Sequence, residues 1–397
     1  MEFRIKQSVL KEELGFIQGV VERKTTIPVL SNILIESLGE NEIRIVGTDL
    51  DCTIRCDAEA EIIQPGAICV QARKLFDIVR VLDSGDVHFK KEDNEWVSMK
   101  AGRANYRLAG TNREQFPELP SFKSTPLKLP AEVFSFFVRN TAFAITNEQS
   151  RFTLSGAKFI VGDGKAKMVT TDGHRLAYVE RAVDVDGTMD TLIPKKALLE
   201  LVKLSRGQGD VAFGEDQNHI YFEVEGRLLI TRKLTGTFPN YEMVMPKNND
   251  KLATFDLDEM RNAVRRMSLI ADDRNRSIRL TVRDGEVEVT AQSSEHGEGN
   301  EKVQADYKGE EMTLGFNWQY LLEFLANVGS VEMIAAESQA DDGDVKETEG
   351  DKVRVKDNSA PRARISFEFK DPNAQTQLSL AGETTYDYKY IVMPLRI

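Results

Sequence analysis

The chain repeats itself, and that limits its fold more than any motif does. An eight-residue helical pattern, Ala72-Arg73-Lys74-Leu75-Phe76-Asp77-Ile78-Val79, returns as Lys195-Lys196-Ala197-Leu198-Leu199-Glu200-Leu201-Val202 and as Trp318-Gln319-Tyr320-Leu321-Leu322-Glu323-Phe324-Leu325. The central leucines, Leu75, Leu198 and Leu321, are 123 residues apart at both steps. Self-similarity at a fixed period means one supersecondary unit copied along the chain. Phe116-Pro117 recurs as Phe238-Pro239 after 122 residues, and Val244-Met245-Pro246 recurs as Val392-Met393-Pro394 after 148. The excess of 148 over 123, 25 residues, predicts an insertion in the third copy. The acidic stretch near 337–360 has no apolar periodicity and is expected to be that insertion, a solvated excursion.

Each copy opens with an amphipathic pattern: Leu10, Leu14, Ile17 and Val21, then Phe134, Phe137, Val138, Thr141 and Ile145, then Met260, Ala263, Val264, Met267 and Ile270. Helices are expected over 8–24, 71–82, 131–151, 194–206, 258–276 and 317–328. Between them lie short alternating segments with turn dipeptides such as Asp163-Gly164 and Asp284-Gly285. Leu129-Pro130 and Ile193-Pro194, 64 residues apart, precede two helices, and proline suits a first turn because its missing N–H has no partner to lose. The expected fold is α+β, three repeated domains of antiparallel sheet with two helices each, at 1–122, 123–249 and 250–397.

The 397 residues are 41% hydrophobic and 29% charged, a globular balance with no apolar run long enough to cross a bilayer. A cytoplasmic protein without membrane contact is expected. Three cysteines and four histidines form neither a disulfide scaffold nor a zinc spacing, and Cys52 and Cys56 fit one sheet face as small hydrophobes. A net charge of −12 argues against phosphate attraction by the surface as a whole. The charge is segregated, however: the six expected helices sum to +5, leaving −17 for the rest of a chain at −12. A basic helical face on an acidic body suits sequence-independent attraction to a phosphate backbone. No phosphate loop, dinucleotide fingerprint or nucleophile elbow is present. His88, His219 and His296 read as surface residues, and Glu298, Glu301 and Asp306 lack metal-ligand spacing. No enzyme activity, metal or cofactor is expected.

The segment Thr171-Asp172-Gly173-His174-Arg175-Leu176-Ala177 reads as a tight turn entering a strand. Together with Gly47-Thr48-Asp49-Leu50, Ala72-Arg73-Lys74, Phe116-Pro117, Pro239-Asn240-Tyr241, Gly315-Phe316-Asn317 and the ending Tyr390-Ile391-Val392-Met393-Pro394-Leu395-Arg396-Ile397, it closely resembles the bacterial sliding clamps, the beta subunits of the replicative DNA polymerase. The resemblance runs essentially end to end. It implies a head-to-tail homodimeric ring of six similar domains around double-stranded DNA, free of chemistry. Such a ring is set in place by a clamp loader and tethers the replicative polymerase catalytic subunit and other proteins with clamp-binding motifs.

It also implies a partner-peptide pocket of Leu154, Thr171, Gly173, His174, Arg175, Leu176, Pro239, Val244, Tyr320, Met393, Pro394 and Arg396. Met243 stands where relatives often have a basic residue. DNA-facing positions by resemblance are Lys24, Arg73, Arg151 and Lys196. The dimer interface would set Arg103, Tyr106, Arg107 and Leu108 of one copy against Leu269, Ile270, Glu298 and Glu301 of another, with Glu295 nearby. Two other readings compete with this one. A peptide-binding repeat scaffold without a DNA role would need no basic helices, and a nucleic-acid enzyme would need convergent carboxylates or a nucleophile.

Overall fold

The computed structural model describes residues 1–22, 26–118, 120, 126–148, 150–328 and 362–396. The expected insertion near 337–360, the boundary near 121–125 and Lys24 lie outside these residues. Six α-helices are described: α1 (Gln7–Ile17), α2 (Ala72–Val79), α3 (Ala131–Thr141), α4 (Lys195–Ser205), α5 (Leu257–Ser268) and α6 (Trp318–Asn327). The starts of α2, α4 and α6 keep the 123-residue interval. Two starts are capped by side chains that accept otherwise unpaired amides: Asp256 takes the Glu259 N–H at 2.9 Å and Asn317 the Gln319 N–H at 2.9 Å.

The opening helices are shorter than their apolar periodicity suggests. α1 stops at Ile17, and Val20 is buried from a turn beyond it. α3 stops at Thr141, where the backbone tightens to a 3-10 turn at Ala142–Ala144, and Ile145 is buried in extended conformation. An apolar side chain can reach the core from a loop as well as from a helix, so periodicity overran both ends. Pro130 and Pro194 each end a strand one residue before a helix, not inside its first turn. Neither position asks the proline for an intrahelical N–H bond.

The described chain packs as two compact units, residues 1–138, 184–187 and 191–235 in unit 1 and residues 139–183, 188–190 and 236–397 in unit 2. The repeat is therefore the unit of sequence but not of packing, and the second repeat is divided. In unit 1 a five-stranded antiparallel sheet runs Glu61–Gln64, Glu2–Lys6, Asp86–Lys91, Val97–Ala101, Ala104–Leu108. A nine-stranded sheet joins the first repeat to the second by pairing Cys52–Glu59 with Arg227–Arg232. In unit 2 the corresponding junction pairs Arg175–Ala182 with Tyr386–Val392, and the sheet continues to Met312–Asn317.

Phe3 stacks on Phe89 at 4.9 Å in unit 1, and Phe324 stacks on Tyr390 at 4.8 Å in unit 2. Cys52 and Cys56 are free and buried on one strand, and burial pushes both thiols well above their ordinary range.

Unit 1 also buries charge. Arg227 donates to both carboxylate oxygens of Glu13 on α1 at 2.9 and 2.7 Å, and its guanidinium lies 4.6 Å from the Phe16 ring. Glu13, with burial working against it, raises the Arg227 pKa still further. Removing one partner strands the other's charge. Arg227→Ala is expected to cost about 3 kcal/mol in urea unfolding, with most of it recovered when Glu13→Leu is added. A loss under about 0.5 kcal/mol would show that the pair contributes no more than a surface bridge does.

Candidate functional site

The site in unit 2 starts from one turn. The Thr171 hydroxyl donates to the Arg175 carbonyl at 2.5 Å and accepts the Gly173 N–H at 3.0 Å. One Asp172 carboxylate oxygen takes the N–H groups of His174 and Arg175 at 2.9 and 3.1 Å. The backbone must then pass through φ +90° at Gly173, where a side chain is strained and a Cβ would lie 2.9 Å from the Arg151 guanidinium. Threonine, aspartate and glycine at these positions thus write the turn directly. The turn delivers Arg175 and Leu176 into a strand paired with Val392 and Ile391, and Met393 closes it by donating its N–H to the His174 carbonyl at 3.0 Å.

Beside the turn opens a cleft lined by Leu154, Thr171, Gly173, His174, Arg175, Leu176, Pro239, Asn240, Tyr241, Val244, Gln375, Ile391 and Met393. Nine of the twelve residues expected in a peptide pocket are brought together here. The other three stand elsewhere. The Tyr320 ring stacks 4.3 Å from the Arg175 guanidinium but does not itself line the cleft. Pro394 and Arg396 lie past Met393 and do not line the cleft, and between them Leu395 donates its N–H to the Gly315 carbonyl at 2.8 Å. Asn240, Tyr241, Gln375 and Ile391 were not anticipated. Ile391 was findable, because it faces the same side as Met393 two residues on; Gln375 arrives from a loop that no spacing predicts. Val244 and Met393 are 42% and 41% exposed, apolar surface that a partner could cover.

Arg175 holds this wall. It is buried, donates to Asp172 at 3.0 Å and to the Phe143 carbonyl at 2.6 Å, and pairs with Glu323 on α6 at 2.5 Å. Burial opposes its charge, but Tyr390, Glu323 and Asp172 outweigh that and keep it protonated. The sheet face that carries Leu176 also carries Tyr178, Glu180 and Lys167, and Tyr241 packs over Tyr178 at 6.0 Å.

Among the DNA-facing candidates, Arg73 on α2 is exposed, with only a loose 4.0 Å contact to Asp77. Lys196 on α4 is engaged inside unit 1, donating to Asp49 at 2.5 Å and to the Val20 carbonyl at 3.1 Å. Arg151 donates to the Asp172 carbonyl at 2.8 Å and borders the cleft.

The interface candidates lie on open sheet edges. Ala104–Leu108 is the outer strand of its sheet, with Arg107 paired to Glu92 at 2.6 Å over the Trp96 ring. In unit 2, residues 297–304 pair on one side only among the described residues. Leu269 is 76% exposed beside this edge, Ile270 lies near Gly299, and Glu301 is bound by Arg266 at 2.7 Å. Glu298 is exposed on the edge strand itself.

Three family descriptions match in chain order: DNA polymerase III beta subunit N-terminal domain at 1–120, central domain at 128–240 and C-terminal domain at 242–338. The beta sliding clamp of Pseudomonas putida is 31% identical over 404 residues, covering 100% of both chains. The chain belongs to the beta sliding clamp family. The beta sliding clamp of Chlamydia pneumoniae is 30% identical over 328 residues, 82% of this chain and 89% of its own. Among solved structures, the DNA polymerase III subunit beta of Pseudomonas aeruginosa superposes with a TM-score of 0.85 at 28% identity, and the Bartonella birtlesii clamp bound to griselimycin with 0.86 at 29%, each covering 100% of both chains. The fold is thus the α+β clamp fold of three antiparallel-sheet domains, and the chain is a DNA polymerase III processivity clamp. No described helix is long and apolar enough to cross a membrane.

Two measurements test the turn and the face beside it. Gly173→Ala should cost about 1–2 kcal/mol in thermal unfolding, because it forces a side chain into left-handed backbone; an unchanged melting temperature would show that the turn relaxes freely. Glu180 accepts from Lys165 at 2.6 Å and Tyr178 at 2.7 Å and pairs with Lys167 at 3.0 Å. Burial works to raise its pKa, yet these donors bring it down to about 2. An unfolded glutamate titrates near about 4.3, so its stabilisation is complete above that and fades as pH falls toward the folded value. Glu180→Gln should flatten that part of the acid-unfolding curve, and an unaltered slope would assign it to other carboxylates.

Proposed function

We propose that two copies of this clamp close head to tail into a ring that slides on duplex DNA and holds the polymerase through the unit 2 cleft. The observation that carries the ring is a pair of open sheet edges of opposite charge. Ala104–Leu108, with Arg103 just before it, offers Arg107 beside Tyr106 and Leu108, and residues 297–304 offer Glu298 and Glu301 beside exposed Leu269 and half-buried Ile270. Edge strands left open invite pairing with another chain, and basic against acidic edges favours unlike ends over like ones. A head-to-tail contact made twice leaves no free end, which a topological tether requires. In this reading each chain contributes three clamp domains, 1–122, 123–249 and 250–397, and the ring works in the cytoplasm.

The cleft suits a short extended segment of the polymerase catalytic subunit, the clamp loader or another clamp-binding protein. Apolar anchors would enter between Leu176, Val244 and Met393, with His174 and Asn240 supplying orientation at the rim. Arg151 serves better at this rim than on DNA, and Lys196 serves better as an internal tie. Tyr320 supports Arg175. Arg73 then carries the sequence-blind attraction, with Lys24 as a further candidate.

Leu269→Asp combined with Ile270→Asp should give a folded monomer by sedimentation that binds partner peptide but is not retained on closed circular DNA. If it still sediments as a dimer, the interface lies elsewhere. Arg73→Glu should weaken retention and reduce the salt slope by about 1, whereas Lys196→Ala should lower stability more than retention. The reverse ranking of the two would reassign the DNA face.

A further inference from the structure

Unit 1 carries its own copy of the cleft-forming turn, bond for bond. The Thr48 hydroxyl donates to the Cys52 carbonyl at 3.2 Å and accepts the Leu50 N–H at 3.0 Å. Asp49 takes the N–H groups of Asp51 and Cys52 at 3.0 and 2.6 Å, and the Arg232 N–H closes the turn on the Asp51 carbonyl at 2.9 Å. Met393 does the same to His174 in unit 2, also at the end of the paired strand. Pro117 repeats Pro239 after 122 residues, and Ile230, opposite Thr53, repeats Ile391, opposite Leu176. A cleft opens at this place, lined in part by Leu50, Asp51, Thr53, Glu118, His219 and Arg232.

The backbone is shared and the chemistry is not. Where unit 2 has Gly173, His174, Leu176 and Met393, unit 1 has Leu50, Asp51, Thr53 and Arg232. Thr53 and Arg232 replace two of the apolar side chains of unit 2, leaving Leu50 and Ile230 as the apolar surface. Leu50 holds φ +79°, a conformation unfavourable for leucine, and leaves its side chain 44% exposed in the mouth. Asp51 and Glu118 are exposed carboxylates that enter no ion pair among the described residues, and they outnumber the single guanidinium of Arg232.

We propose that this cleft is a second docking site, taking an extended partner segment in which a basic side chain neighbours an apolar one. The basic group would lie between Asp51 and Glu118, and the apolar group on Leu50 and Ile230. The proposal rests on reading the unit 2 cleft as a peptide site. A clamp with both sites would hold two partners of different sequence on one chain, because each cleft excludes the other's ligand by the side chains at four equivalent positions.

The test titrates two capped tetrapeptides into the methyl-labelled full chain, one of alanine, arginine, leucine and alanine, the other of alanine, leucine, leucine and phenylalanine. The arginine probe should shift the Leu50 and Ile230 methyl signals saturably, and the apolar probe those of Leu176 and Met393. Asp51→Asn with Glu118→Gln should weaken the arginine probe about tenfold, the factor for losing one charge-assisted hydrogen bond, and leave the apolar probe unchanged. Silence at Leu50 and Ile230 at millimolar arginine probe, or equal shifts in the double variant, overturns the second site. Silence at Leu176 and Met393 with the apolar probe overturns the peptide reading of unit 2 and this proposal with it; the silent methyls tell the two failures apart.

Discussion

A β-strand with an unpaired edge must find a partner, be covered or be kept short, and this chain is organised by how it meets that demand. Cys52–Glu59 of the first repeat is completed by Arg227–Arg232 of the second, and Arg175–Ala182 of the second is completed by Tyr386–Val392 of the third. Packing therefore follows the strand pairings, and the compact units cut across the second repeat. Some edges are short, as Gly110–Thr111 and Leu127–Pro130 are, the latter also ending in proline. Ala104–Leu108 and residues 297–304 each pair on one side only among the described residues, and they carry opposite charge.

Each internal junction produces a cleft as a by-product. The strand that enters the junction begins at a tight turn, and the incoming strand ends against that turn with one backbone hydrogen bond, from Met393 in one case and Arg232 in the other. A concavity forms wherever a turn and a strand end meet without filling the angle between them. The backbone thus supplies a site twice, and side chains decide what each can hold. Gly173 leaves one mouth open, and Leu50 occupies the other with the same left-handed backbone.

Charged residues divide in a similar way between tying the fold and facing out. Lys196, Arg227 and Arg175 all spend their donors inside a unit, and each touches a helix and the sheet or turn beneath it. Removing such a group disturbs packing before it disturbs binding. Arg73 has no such duty, because α2 turns that side chain outward. The helical charge bias visible in composition is therefore partly structural, and only a portion of it remains to attract phosphate.

The sequence by itself determined the triplicate α+β plan, since a 123-residue interval survives only if equivalent helices keep equivalent surroundings. It also determined the turn at 171–175, because threonine, aspartate and glycine satisfy its amides locally. Most of the pocket was legible for that reason, along with Met393 at the end of a repeated motif. Tertiary structure alone decided the rest. Gln375 reaches the cleft from a segment distant in sequence, and Tyr320 meets Arg175 in a stacking contact that no spacing encodes. Helix ends past Ile17 and Thr141 went unread because burial does not reveal whether a residue arrives from a helix or a loop. The duties of Lys196 and Arg151 were hidden too: a cation's role depends on which acceptor lies within about 3 Å, and only the folded chain brings Asp49 and the Asp172 carbonyl there.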